Sequence, residues 1–157
     1  MPGIVTPETL EPEEIMNIPV AGSGTLCRVV SGYANFYDKN FQNSNGAPLG
    51  PPPLTGDELN DNDEKWVSHV VHMVVGPKWR DVRDVSPIVG LAGFSFMDND
   101  SADASGTEIQ GCAWDTVGLP EGETNFEQIR LKVNLRLCGG DRYSVIKLGY
   151  HLVAVGR

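Results

Sequence analysis

The residues able to do chemistry are few and scattered. Three histidines, His69, His72 and His151, are potential metal ligands. Ligand atoms must converge at about 2 Å from an ion, and on a strand His69 and His72 point to opposite faces, so no metal site is expected. Asp98, Asp100 and Asp103 with Asn99 have the outline of a calcium loop, since hard cations want clustered carboxylates. The EF-hand pattern fails: Ala102 holds the fifth place, Asp103 stands where Gly is required, and Ile109 replaces the twelfth-position Glu. This segment reads as a solvated acidic turn, and so does the second acidic cluster, Asp57 to Glu64. For nucleophilic catalysis, Gly22-Ser23-Gly24 is an isolated small-residue turn, and no GxSxG elbow or His-adjacent Cys occurs. Walker and GxGxxG loops are also missing from the sequence, so neither an enzyme nor a cofactor is expected.

The aromatic residues offer a different chemistry. Trp66, Trp79, Trp114, Tyr143 and Tyr150 fall at the ends of apolar runs, among polar and acidic loops. Sugars are held by hydroxyls bonded to carboxylates, amides and guanidinium groups, with an aromatic face covering the apolar side of the ring. Loops of this composition can make a saccharide site.

These residues need a scaffold, and the composition bounds it. At 157 residues, with 40% hydrophobic and 21% charged, the chain is sized for one domain with its own core. No apolar run approaches the roughly 20 residues of a membrane helix, so membrane insertion is not expected. A formal charge of −9 argues against nucleic acid as a partner, which needs a cationic face. The first 22 residues carry Glu8, Glu11, Glu13 and Glu14 and show neither a basic start nor an apolar core. They read as no secretion signal, which implies a cytoplasmic protein or release by a non-classical route. Cys27, Cys112 and Cys138 are odd in number and lack CxxC spacing, and they read as buried thiols. The rival is a Cys112–Cys138 bridge.

Eighteen Gly and 11 Pro are spread between short apolar runs, the punctuation of an all-β domain. Pro7 to Met16, with Thr6 as cap, is the best helical candidate but reads equally as an extended arm. Strands are expected over Cys27 to Ala34, over Trp66 to Val75 with Gly76-Pro77 ending it, over Ile88 to Met97, and over Thr107 to Trp114, in the rhythm of a meander. Asn35 to Glu64 is a long polar connection. From Gln128 to Leu137, Ile129, Leu131, Val133, Leu135 and Leu137 alternate strictly with polar residues, which is a half-buried strand. A second run places Ile146, Leu148, Tyr150, Leu152 and Ala154 on one face and Lys147, Gly149 and His151 on the other. The two runs, separated by Gly139-Gly140-Asp141, read as an antiparallel hairpin. About six strands without a repeat predict a six-stranded antiparallel β-sandwich over residues 27–157, preceded by an irregular N-terminal arm, residues 1–26.

In the C-terminal half the order of features is more specific. Ser86-Pro87 leads into IVGLAGFSFMDND, followed by a short strand ending in WDTVG, the alternating IRLKVNLRL, and DRYSVIKLGYHLVAVG. This series, with VVSGYANF near the start, resembles the H-type lectin domain, the family of snail agglutinins and of the discoidin C-terminal domain, over Val29 to Gly156. The resemblance implies a six-stranded antiparallel sandwich and assembly into homotrimers or homohexamers. It also implies calcium-independent recognition of galactose or N-acetylgalactosamine glycans at subunit boundaries.

Transferred to this chain, the family's sugar-contacting Asp falls on Asp61, with Asn60 and Asp63 close alternatives. The family's Arg is missing near Glu108 to Gln110, and its Trp-His turn is replaced by Cys138-Gly139-Gly140-Asp141. The constellation expected in their place has Asp61 and Gln110 as hydroxyl partners, Asp141 as acceptor, Arg142 as donor and Tyr143 as the stacking platform. Those departures leave an alternative open: a structural or assembly sandwich, of the virion or tail-fibre kind, without sugar binding.

Overall fold

A computed structural model describes residues 4–20, 24–37, 67–96, 106–119, 125–138 and 143–157. Among these residues the chain is all-β, in two sheets packed face to face. Six long strands make the sandwich: β4 (Leu26–Phe36), β5 (Val67–Trp79), β6 (Val82–Phe96), β7 (Gly106–Gly118), β8 (Glu127–Cys138) and β9 (Tyr143–Gly156). Three short N-terminal strands, β1 (Ile4–Val5), β2 (Thr9–Leu10) and β3 (Glu14–Pro19), edge them. One sheet has the order β1-β5-β8-β7; the other runs β2-β4-β9-β6, with β3 also on β4. All pairings are antiparallel except β1 on β5.

The period-two pattern decides which side chains close the core. Ile129, Leu131, Val133 and Leu135 of β8 meet Val71, Met73 and Val75 of β5 within one sheet, and all are buried. Facing them from the other sheet are Val30, Ala34 and Phe36 of β4 with Ile146, Leu148 and Leu152 of β9. Each fully buried aliphatic side chain contributes on the order of 1.5–3 kcal/mol.

Neighbour relations differ from the expected ones. β8 pairs with β5 and β7, and β9 pairs with β4 and β6, so the two alternating runs are not a hairpin but lie in opposite sheets, with 139–142 between them. Nor is the middle a meander, because β5 and β7 share one sheet while β6 lies in the other. Alternation reports which face is buried; it carries no record of which strand lies alongside. Gly76-Pro77 does not end β5. It forms a bulge between Val75 and Trp79, made possible by Gly76 at φ 78°, and the strand resumes at Trp79. β6 begins at Val82 rather than at Ile88.

The N-terminal segment is extended, not helical. It crosses the open side of the sandwich, from β1 on β5 to β2 and β3 on β4, and Val5 is wholly buried. Glu13 fastens it. Its carboxylate accepts the Tyr150 hydroxyl at 2.7 Å and the Gly76 N–H at 2.9 and 3.1 Å, linking both sheets to the arm. The Gly76 N–H is available because the bulge takes it out of the β5–β8 register. Burial, reinforced by the bond to Glu13, pushes the Tyr150 phenol well above its usual range.

Outside the core, the two sheets present different faces. The β7–β8 face is laced with ions: Asp115 accepts a fork from Arg130 at 2.8 and 2.5 Å and lies 3.1 Å from Lys132, and Glu108 pairs with Arg136. The Arg130 guanidinium, together with Lys132, holds the Asp115 carboxyl down at about 2. Cys112 on this strand is free, and its thiol is pushed up by burial. It pairs with Val133 while Cys138 pairs with Gly106. Six residues of strand, about 20 Å, separate the positions, which excludes a Cys112–Cys138 bridge.

Two outcomes test this account. Glu13→Ala strands the Tyr150 hydroxyl and the Gly76 N–H, so it is expected to cost about 3 kcal/mol, read as a lower urea midpoint at unchanged slope. Because the folded pKa of Asp115 is depressed, its stabilisation is complete above 3.8 and is lost as pH falls through about 2. Asp115→Asn is therefore expected to melt below wild type at neutral pH and to converge with it across that window.

Candidate functional site

The outer face of the β4–β9–β6 sheet carries a groove of about 700 Å³. Its floor exists because two strands lack side chains at the same level: Gly90 of β6 and Gly149 of β9 face each other in register. A Cβ placed on Gly90 would meet nothing within 4 Å. At Gly149 a Cβ would touch the Tyr33 ring at 3.4 Å, so Tyr33 leans from β4 across β9 and forms one wall. Lys147 holds it there, with its ammonium 4.6 Å from the ring centroid and 2.9 Å from Glu11 Oε1. Asn35 also reaches Glu11, and these bonds, that of Lys147 first, lower the Glu11 carboxyl below its usual range.

One row along the sheet stand Glu14, Ser31, His151 and Ile88, paired in that order across four strands. Ser31 Oγ lies 2.7 Å from His151 Nδ1. This bond engages Nδ1 and leaves Nε2 for a ligand. If Ser31 donates, the pair offers an Nε2–H donor and a hydroxyl lone pair; if Nδ1–H donates, it offers a hydroxyl proton and an Nε2 lone pair. Either tautomer presents one donor and one acceptor. A Ser–His pair is also the beginning of a nucleophile, but acyl transfer further requires donors for an oxyanion. Here β4 is paired on both sides, by β3 and β9, and its N–H groups serve the ladders. The arrangement suits holding a polar ligand reversibly.

The residues expected from the sequence are only partly among the described ones. Asp61, Asp141 and Arg142 lie outside the described residues, as do Asn60, Asp63 and the acidic turn at 98–103. Tyr143 opens β9 opposite Phe96. Gln110 is the exposed extra residue of a bulge in β7, between Ile109 and Gly111. Gln110 and Tyr143 therefore belong to different sheets. His69 and His72 point to opposite faces: His69 is buried, which lowers its pKa, and His72 is on the ion-laced face, its pKa lowered by burial and by Arg130 and Lys132. Among the described residues no three of His, Cys, Asp and Glu group to hold a metal ion, and no helix is long and apolar enough to cross a membrane.

The alternation predicts His151 on the polar face of its strand beside Lys147 and Gly149, and neither it nor Ser31, Tyr33, Glu14 or Gly90 is among the site residues expected from the sequence. The available signal was the alternation of VVSGYANF, which sends Ser31, Tyr33 and Asn35 to the face opposite Val30, Ala34 and Phe36.

Fold and groove together define a two-sheet β-sandwich protein with a polar, aromatic-walled trough on one outer face. No family model, curated protein or solved structure matches the chain.

The ionic support of the Tyr33 wall is open to measurement. Lys147→Ala removes the main cause of the Glu11 shift, so the Glu11 carboxyl should titrate higher, toward 4.5, in a carbon-detected NMR titration. An unchanged Glu11 titration contradicts the pairing.

Proposed function

We propose that this chain is a carbohydrate-binding protein that takes galactose- or N-acetylgalactosamine-type glycans without catalysis, at sites repeated in a homo-oligomer. The observation that carries this reading is the glycine-floored trough with Tyr33 as its wall and the Ser31–His151 pair beside it. A sugar hydroxyl is at once donor and acceptor, so it matches the pair in either tautomer. The Glu14 carboxylate, across from Ser31, adds a charged acceptor of the kind that sugar hydroxyls favour. A galactose ring carries its axial hydroxyl toward one face and leaves the other apolar, to lie against Tyr33. The galactose preference and the trimeric or hexameric assembly draw their support from the resemblance of the sequence to H-type lectins. A shallow trough binds one sugar weakly, and repetition in a symmetric assembly raises avidity without new contacts.

A glycan array, followed by red-cell agglutination with free galactose as competitor, tests the function. A blank array with folded protein removes it and leaves the assembly module. Gly90→Leu puts a side chain into the trough from a position where the Cβ itself meets no atom within 4 Å, so it should abolish binding while leaving the unfolding transition in place. Tyr33→Ala should weaken binding about tenfold, the worth of one aromatic platform.

A further inference from the structure

The sheet face beside the trough changes character within one row. Two residues along from Ser31 and His151, Val29 of β4 and Val153 of β9 face each other, with Met16 of β3 beyond Val29 and Ser86 of β6 beyond Val153. Met16 is 62% and Val153 36% exposed. The row after that, Ile18, Cys27 and Val155, is again apolar on these three strands, with Asp84 of β6 at its edge. Polar row and apolar rows lie on one continuous surface, because on β3, β4 and β9 these residues share the outward face.

Alternate residues on a strand stand about 7 Å apart, and neighbouring strands about 4.8 Å. A substituent on a group held by Ser31, His151 and Glu14 is therefore within reach of Val29, Val153 and Met16. We propose that the ligand is an amphipathic glycoside, whose sugar occupies the trough and whose alkyl or aryl aglycone lies along the Met16–Val29–Val153 stripe. This rests on the saccharide reading of the trough and specifies what the sugar is attached to. The area argues for a small occupant over a second copy of the chain. Two rows on three strands cover on the order of 200 Å², whereas a stable pairing buries about 800 Å² on each partner. An eight-carbon chain, by contrast, spans the two rows.

The test is isothermal titration of the whole chain with methyl β-galactoside and with octyl β-galactoside below its micelle concentration, with octyl β-glucoside as control. The octyl galactoside is expected to bind at least tenfold more tightly than the methyl compound. Val153→Asp should remove that gain and leave methyl galactoside binding as it was. Val153→Thr, β-branched and of similar size, should give a partial loss and serves if the Asp variant does not fold. Equal affinity of the two galactosides overturns the aglycone proposal while sparing the sugar site. Binding of neither overturns the saccharide reading, and this proposal with it. Octyl glucoside binding as tightly as octyl galactoside, unaffected by Gly90→Leu, shows an apolar patch acting without the trough and overturns the proposal. So does a lower assembly mass of Val153→Asp than of wild type by sedimentation, which assigns the stripe to a second copy.

Discussion

The arrangement depends on one carboxylate. Glu13 accepts from Tyr150 in one sheet and from Gly76 in the other, so it fixes an otherwise exposed N-terminal segment to both halves of the sandwich. Such a contact requires space and a free donor, and two glycines provide them. At Gly32 a Cβ would lie 2.4 Å from the Tyr150 oxygen, so only glycine lets that ring reach Glu13. Gly76 supplies the bulge whose N–H points away from the ladder. A charged acceptor with two good donors is worth more than a neutral hydrogen bond, and leaving those donors unmet costs more still. The strap is consequently specific about register: with Glu13 anchored, Glu11 and Glu14 on either side of it fall beside the trough.

That register couples the fold to the site. Glu11 reaches Lys147, which lies over the Tyr33 ring, and Glu14 comes opposite Ser31. A wall of the trough is thus built by residues far apart in sequence, held by a carboxylate that does not itself line it. The contrast with the other sheet is informative. On the β7–β8 face each long cation has an anion within reach, so that surface is saturated with partners from its own strands. On the β4–β9 face the Ser31–His151 pair keeps unspent hydrogen-bonding capacity, which is what recognition needs.

Much of the fold was legible in the sequence, because burial on one face of a strand leaves a period-two record. Ile129 to Leu137 and Ile146 to Ala154 carry it plainly, and the six long strands follow from such runs and the Gly and Pro residues between them. Pairing was not legible. A short glycine-containing stretch of sequence between two strands reads alike whether the strands are neighbours or lie in different sheets, and the hairpin expectation failed for that reason. The N-terminal arm looked irregular because its strands are short and its tie runs through a side chain, Glu13, that pattern reading counts only as polar. The candidate site was hardly visible at all. Ser31 and His151 are 120 positions apart, and only the β4–β9 register brings them together.

Gly90 and Gly149 carry the argument for a ligand further than the polar residues do. Glycine inside a strand forfeits about 0.5–1 kcal/mol relative to alanine, and a facing pair also gives up the cross-strand contact that stabilises a sheet. Where the backbone needs such a residue, the cost is accounted for, as at Gly32 and Gly76. Gly149 is partly explained by the Tyr33 ring that leans over it. Gly90 has no such reason: its surroundings are open, as they are at Gly93, Gly111 and Gly118, but of these only Gly90 lines the trough and faces a second glycine. Local rules that a fold breaks without structural need are expected at functional sites. Among the described residues the space above Gly90 is open, and on the saccharide proposal it is room for the ring, bordered by a phenol, a hydroxyl, an imidazole and a carboxylate able to meet it.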